Sequence, residues 1–375
     1  MKGTMIEYLK EYGQISLAEE GMNEVDSLIL CQLSYLKFEG IVPGVKEDAA
    51  SVTLQQVAQM ADEEVLFADE RYAKSNRALF DGMVKSRRFG NMKLNCYVNI
   101  VEKEWETQFS AITFLLEDGT IYVAFRGTDE TIVGWKEDFN MIRQYPIPSQ
   151  SYAVKYLNMV ADRIKQPLYV GGHSKGGNLA IYSAMKCKPD IQDKIIRVYN
   201  MDGPGFRREV LEECGYERIV DRVVKILPHS SFFGMLFEWD MRYQVVESNS
   251  FGLMQHDPFS WQVVDGKFVI AQQVYESLRL MDHTVTDWLL QLEKEQAKQF
   301  FDTLFSIIGA AQAEDLIALA ANPKESWKKV RTAYKEVDGE TKKMLKVTFQ
   351  SLTKLAGDKL KENVKLSINN LLKIK

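Results

Sequence analysis

The stretch "PLYVGGHSKGGNLAIYSAMKC", residues 167–187, runs from an apolar segment through a glycine-rich turn straight into a small-residue helix. Strand, turn and helix joined this tightly leave few folds open. Similar units flank it. Spacing predicts helices over 149–165, 176–188 and near 207–213, and strands over 168–172, 195–201, 222–227 and 242–247. Strand–helix–strand alternation requires a largely parallel sheet covered by helices on both faces. The expected fold class is therefore α/β, and 375 residues are enough for a substantial core.

Around these units the pattern changes. Residues 1–90 read as a mainly helical lead-in. In "EVDSLILCQLSYLKF" (24–38), Leu28, Leu30, Leu33, Tyr35 and Leu36 recur near helical spacing. From 91 onward β-branched and aromatic residues dominate, with hairpin turns expected at Asp118-Gly119 and Asp265-Gly266. From about 284 the sequence is helical and increasingly lysine-rich. Two parts are expected, 1–285 and a helical extension over 286–375.

Composition narrows the function classes. With 47 basic and 52 acidic residues the net charge is −5, which gives no electrostatic reason to expect a nucleic-acid partner. Cys31, Cys96, Cys187 and Cys214 lack a CxxC spacing, which argues against a zinc site or a disulfide framework. The N-terminus "MKGTMIEYLKEYGQ" lacks the apolar stretch of a signal peptide, and no apolar run approaches the roughly 20 residues of a membrane span. The expectation is a cytoplasmic protein.

Gly172-His173-Ser174-Lys175-Gly176 fits G-x-S-x-G in the strand–turn–helix setting that pattern requires. A serine on so sharp a turn needs neighbours without side chains, because strand and helix approach closely on both sides. The same turn aims the first amides of the helix toward the serine oxygen, where they stabilise an anion. The plainer alternative is that Ser174 only caps the helix.

Upstream, "YVAFRGTDETIVGWKEDF" (122–139) ends a strand in Arg126-Gly127-Thr128-Asp129. With "GHSKGGNLA" it resembles the class 3 lipases of the α/β-hydrolase fold, where an "FRGT" strand end supplies the oxyanion hole and "GHSLGG" the nucleophile. Trp135 and Asp138 match the Trp and Asp those enzymes carry next. The chain is also similar to an uncharacterised bacterial family of lipase-like hydrolases that shares "LSYL", "RGTD", "GHSKGGNLA", "DGPGF" and "QHDPFSW", over roughly residues 20–285. The resemblance implies an α/β-hydrolase with Ser174 as nucleophile and with Thr128 and the Lys175 amide as oxyanion hole. Arg126 and Asp129 could otherwise be a surface pair closing a turn. Lys175 departs from the class 3 pattern, which has leucine there. Its side chain is expected to be solvated, or paired with a substrate acid, Asp129 or Asp138.

A serine hydroxyl needs an imidazole to take its proton, and the imidazole needs a carboxylate to fix its tautomer. Of the four histidines, His173 precedes Ser174 and points elsewhere, into a packing role. His283 opens a helix. His229 in "LPHSS" follows a strand end. His256 in "GLMQHDPFSW" lies after the last parallel strands and matches the family motif, so it is the preferred base with His229 in reserve. For the acid, class 3 lipases use the loop after the strand at 222–227, yet here that loop reads "PHSSFFG", without a carboxylate. Asp202 in "VYNMDGPGF" ends the strand after the nucleophile helix and is the preferred acid. A turn-forming role for Asp202, a contribution from Asp257, or an acid-free arrangement using Ser230 or Ser231 stays open.

Residues 341–375 hold nine lysines, with Leu345, Phe349, Leu352, Leu355, Leu360, Val364, Ile368 and Leu371 near one helical face. A basic amphipathic helix of this kind can lie on an anionic membrane. Packing on its own domain, with the lysines in water, is the favoured expectation. The function expected is a serine esterase that cleaves a small-molecule or lipid ester without metal or organic cofactor. The alternative is a catalytically silent hydrolase fold serving as a binding or scaffold module.

Overall fold

In the computed structural model the described residues are 3–68, 72–129, 133–134, 137, 140–141, 144–212, 215–231, 233–238, 242–250 and 252–271, with 287, 339, 342–343 and 346. The chain forms two compact units, one of residues 1–138 with 145–274, the other of 139–144 with 275–375. The expectations for the lysine-rich extension, and for Trp135, Asp138, Cys214 and His283, lie outside the described residues. Among those described, no helix is long and apolar enough to cross a membrane.

The lead-in carries helices α1 (Met5–Tyr12), α2 (Glu24–Leu33), α3 (Leu54–Met60), α4 (Glu63–Leu66) and α5 (Ala73–Lys85), with a short strand β1 (Val52–Thr53). Sequence explains the starts: Thr4, Asn23 and Thr53 each cap a helix with their own oxygen and form capping boxes. Helix α2 stops sooner than its apolar spacing suggests. The Ser34 hydroxyl bonds back to the Cys31 carbonyl at 2.6 Å, and the chain leaves the helix with Tyr35 buried in the following turn.

One eight-stranded sheet has its strands in sequence order. They are β1, β2 (Lys93–Glu102), β3 (Thr107–Leu115), β4 (Ile121–Phe125), β5 (Leu168–His173), β6 (Ile195–Met201), β7 (Val223–Pro228) and β8 (Gln244–Val246). The first four pair antiparallel, and β4 to β8 run parallel. The β3–β4 and late hairpins turn at the expected Asp-Gly pairs, the latter joining β9 (Val263–Val264) and β10 (Lys267–Phe268). Helices α6 (Pro148–Arg163) and α7 (Lys175–Lys186) pack on one face, and α2 on the other. Period-2 alternation sends Tyr122 and Ala124 into the core under α2, and Ile121, Val123 and Phe125 into the core under α6 and α7.

A buried ion pair ties the lead-in together. Arg88 makes a forked contact with Asp26 and donates to the carbonyls of Ile15, Glu20 and Gly21. Burial, and then the Asp26 carboxylate, push the Tyr8 phenol above its usual range, so it stays neutral and donates to Asp26 at 2.8 Å. Breaking a buried pair by removing one partner typically costs about 3–5 kcal/mol. Arg88→Met is therefore expected to lower Tm by about 10 °C, at roughly 2–4 °C per kcal/mol for a unit of this size. A thermal melt followed by near-UV circular dichroism checks it, and an unchanged Tm would remove the pair from the stability of the fold.

Candidate active site

Ser174 sits between β5 and α7 with φ 58° and ψ −133°. A side chain rarely occupies this region, and holding one there costs on the order of 1–3 kcal/mol. Its side chain makes no capping hydrogen bond to α7, so capping does not account for the serine. The strain is enforced by close backbone approach. A Cβ at Gly176 would lie 2.1 Å from the Phe125 carbonyl oxygen. A Cβ at Gly127 would meet the Tyr35 hydroxyl at 2.2 Å, the His173 carbonyl oxygen at 2.5 Å and Ser174 Cβ at 3.1 Å. The glycine of "RGTD" thus lets the strand end pass directly beside the serine.

Asp202 ends β6, next to the elbow, and is itself held at φ 53°. It is fully buried and accepts at both oxygens. Ser231 donates to Oδ1, and His256 Nδ1 lies 2.7 Å from Oδ2. The loop "PHSSFFG" therefore supplies the hydroxyl that holds a carboxylate, while the carboxylate itself comes from the earlier strand. His256 lies in a short 3₁₀ turn (Gly252–His256), where Phe233 packs 4.6 Å from its ring. The His256 nitrogen facing away from Asp202 makes no hydrogen bond to Ser174 Oγ among the described residues. Such contacts are often open without substrate and tighten when it binds.

His173 and Tyr35 complete the frame. His173 Nε2 donates to the His256 carbonyl at 2.9 Å, and its Nδ1 lies 3.2 Å from the Tyr35 hydroxyl. The rings of His173 and His256 lie 4.6 Å apart. The histidine beside Ser174 thus anchors the backbone of His256. His229 is occupied differently, against Gln255 at 3.0 Å and with Glu247 3.8 Å away. Asp257 accepts from the Phe259 amide and caps a turn.

Thr128 and Asp129 are buried at the end of β4. Arg126 pairs with Asp129 at 3.5 Å and donates to Asn99 at 2.8 Å, with its guanidinium 1% exposed; this is an interior pair and not a surface one. Lys175 opens α7, so its amide has no acceptor within the helix. The Lys175 side chain is fully buried and not solvated, and it pairs with Glu137 at 3.0 Å; Asp138 lies outside the described residues. Sequence reading missed Glu137, Gln108 and Phe233, and named Ser231 only for an acid-free arrangement. It held Tyr35 in "LSYL" without a role for it. Among the described residues, no group of histidine, cysteine and carboxylate side chains could hold a metal ion.

Sheet order, the strained elbow and the buried aspartate after the neighbouring strand fit a lipase-like α/β-hydrolase fold. The family model described as Mbeg1-like matches residues 83–306, more than half of the chain, and the protein belongs to that family. The match begins and ends later than the motifs quoted above. Two solved lipase structures are similar to parts of the chain. The crystal structure of M37 lipase is 14% identical with a TM-score of 0.34, covering 57% of this chain and 69% of that one. The native Rhizomucor miehei lipase propeptide complex is 15% identical with a TM-score of 0.35, covering 61% and 78%. No curated protein matches the sequence.

Proposed function

We propose that this protein is a serine hydrolase that cleaves a carboxylic ester, of a small molecule or a lipid, through an acyl-enzyme. Ser174 Oγ attacks the carbonyl carbon while His256 takes its proton. The Lys175 amide and Thr128 receive the oxyanion. As the tetrahedral adduct collapses, His256 returns the proton to the departing alcohol. Water, activated by the same imidazole, then releases the acid and frees Ser174. Asp202 holds the imidazole with Nδ1–H toward itself and stabilises the imidazolium that forms.

The observation that carries this reading is the 2.7 Å contact of His256 Nδ1 with the buried Asp202, made beside a serine held in strained geometry. A structural turn has no use for either feature. Cys31, Cys96 and Cys187 are free and buried, and burial pushes the Cys31 thiol up to about 12. Unreactive, unpaired thiols support a cytoplasmic setting.

A fluorophosphonate probe tests the proposal. The wild-type protein should be labelled, and peptide mapping should place the adduct on Ser174. His256→Ala should label far more slowly, because the unassisted hydroxyl is a poor nucleophile. The open Ser174–His256 geometry favours a second reading, a silent hydrolase fold that binds without turnover. Absence of labelling at Ser174 in folded wild-type protein would establish that reading in place of the enzyme.

A further inference from the structure

We propose that the Lys175 side chain is a positioning residue that clamps the oxyanion loop to the nucleophile elbow, an inference that rests on the serine-hydrolase reading above. An ammonium has three donors. All three of Lys175 are used, on the Gln108 carbonyl at 2.9 Å, Gln108 Oε1 at 2.9 Å and Glu137 Oε2 at 3.0 Å. Lys175 and Glu137 are both fully buried.

Each partner leads to the oxyanion loop. Gln108 lies in β3 and directs its amide nitrogen to the Gly127 carbonyl at 3.4 Å, one residue before Thr128. Glu137 accepts from the Gln108 amide and, through its other oxygen, from the Ser149 amide in the first turn of α6, each at 3.0 Å. A carboxylate is favoured there by the helix dipole. Ser149 in turn donates to the Gln108 carbonyl at 3.0 Å. Gly134 lies against the loop itself. A Cβ at Gly134 would lie 2.8 Å from Thr128 Cγ2, 3.1 Å from Gln108 Oε1 and 3.3 Å from Asp129 Oδ1.

One residue thus serves both sides of the site. The Lys175 backbone offers an amide beside Ser174, and its side chain fixes the framework that carries Thr128. Leucine at this position would fill the space and leave the Gln108 and Glu137 groups without their cation. A donor acts on an oxyanion only at about 2.7–3.1 Å, and a displacement of about 1 Å can cost a factor of about 100 in rate.

Lys175→Met tests the clamp, alone and with Glu137→Gln, which removes both charges and keeps an acceptor oxygen for one of the Gln108 and Ser149 amides. Turnover of a p-nitrophenyl ester is counted per Ser174 that titrates with fluorophosphonate, so unfolded protein does not contribute. Amide hydrogen exchange is followed over Gly127–Asp129. Lys175→Met should lower kcat about 100-fold with KM little changed, and those amides should exchange faster. In the double variant Tm should recover in part while kcat stays low. Recovery of kcat together with Tm would make the pair structural only and overturn the proposal. If wild-type protein does not label, the hydrolase reading fails by itself, and exchange alone decides the clamp. Faster exchange in both variants then supports it, and unchanged exchange overturns it.

Discussion

Ser174→Ala is expected to lower ester turnover about a million-fold, the loss seen when the nucleophile of a serine hydrolase is removed alone. The protein should stay folded. The Ser174 side chain makes no capping hydrogen bond, and alanine meets the same backbone strain at φ 58° as serine. Stability should therefore move by no more than about 0.5 kcal/mol, as for substitutions away from packing and hydrogen bonds. Initial ester-hydrolysis rates and a thermal melt, on the same preparation, make the measurement. A variant with more than a hundredth of wild-type turnover and an intact melt would place the nucleophile elsewhere.

Asp202→Asn should cost about 10,000-fold in turnover, because the amide no longer holds the imidazole in the tautomer that accepts the serine proton. The substitution isolates chemistry from folding unusually well here. Asp202 stands at φ 53°, a conformation that asparagine tolerates better than most residues. An asparagine carbonyl still accepts from Ser231, whose oxygen also receives the Gly234 amide at 3.0 Å. The loop over the acid therefore keeps its anchor. The check is kcat with Tm beside it. Retention of more than a tenth of wild-type kcat would reduce Asp202 to a turn residue and leave the site with a serine–histidine pair.

Reading the acid from sequence illustrates where local information stops. The usual loop offered no carboxylate, and Asp202 stood out only because it ends the strand beside the nucleophile strand. In the structure Ser231, 29 positions away, donates to the Asp202 oxygen that His256 leaves. Likewise, the choice of His256 over His229 rested on chain order and on the family motif. The contacts that separate them are Asp202 on one ring, and Gln255 with Glu247 on the other.

The sequence by itself determined the alternation of strands and helices, the two Asp-Gly hairpins and the glycine elbow, because periodicity and Cβ sterics act over a few residues. It also set the chain order of Ser174, Asp202 and His256. Only the tertiary structure decided what those residues touch. Tyr35 reaches His173 across 138 positions, His173 holds His256 across 83, and Lys175 finds Glu137 across 38. A buried polar group must find a partner, but which partner depends on where strands and loops finally pack. That is why a lysine for which solvent was one expectation lies inside, against a glutamate and a glutamine that no motif singled out.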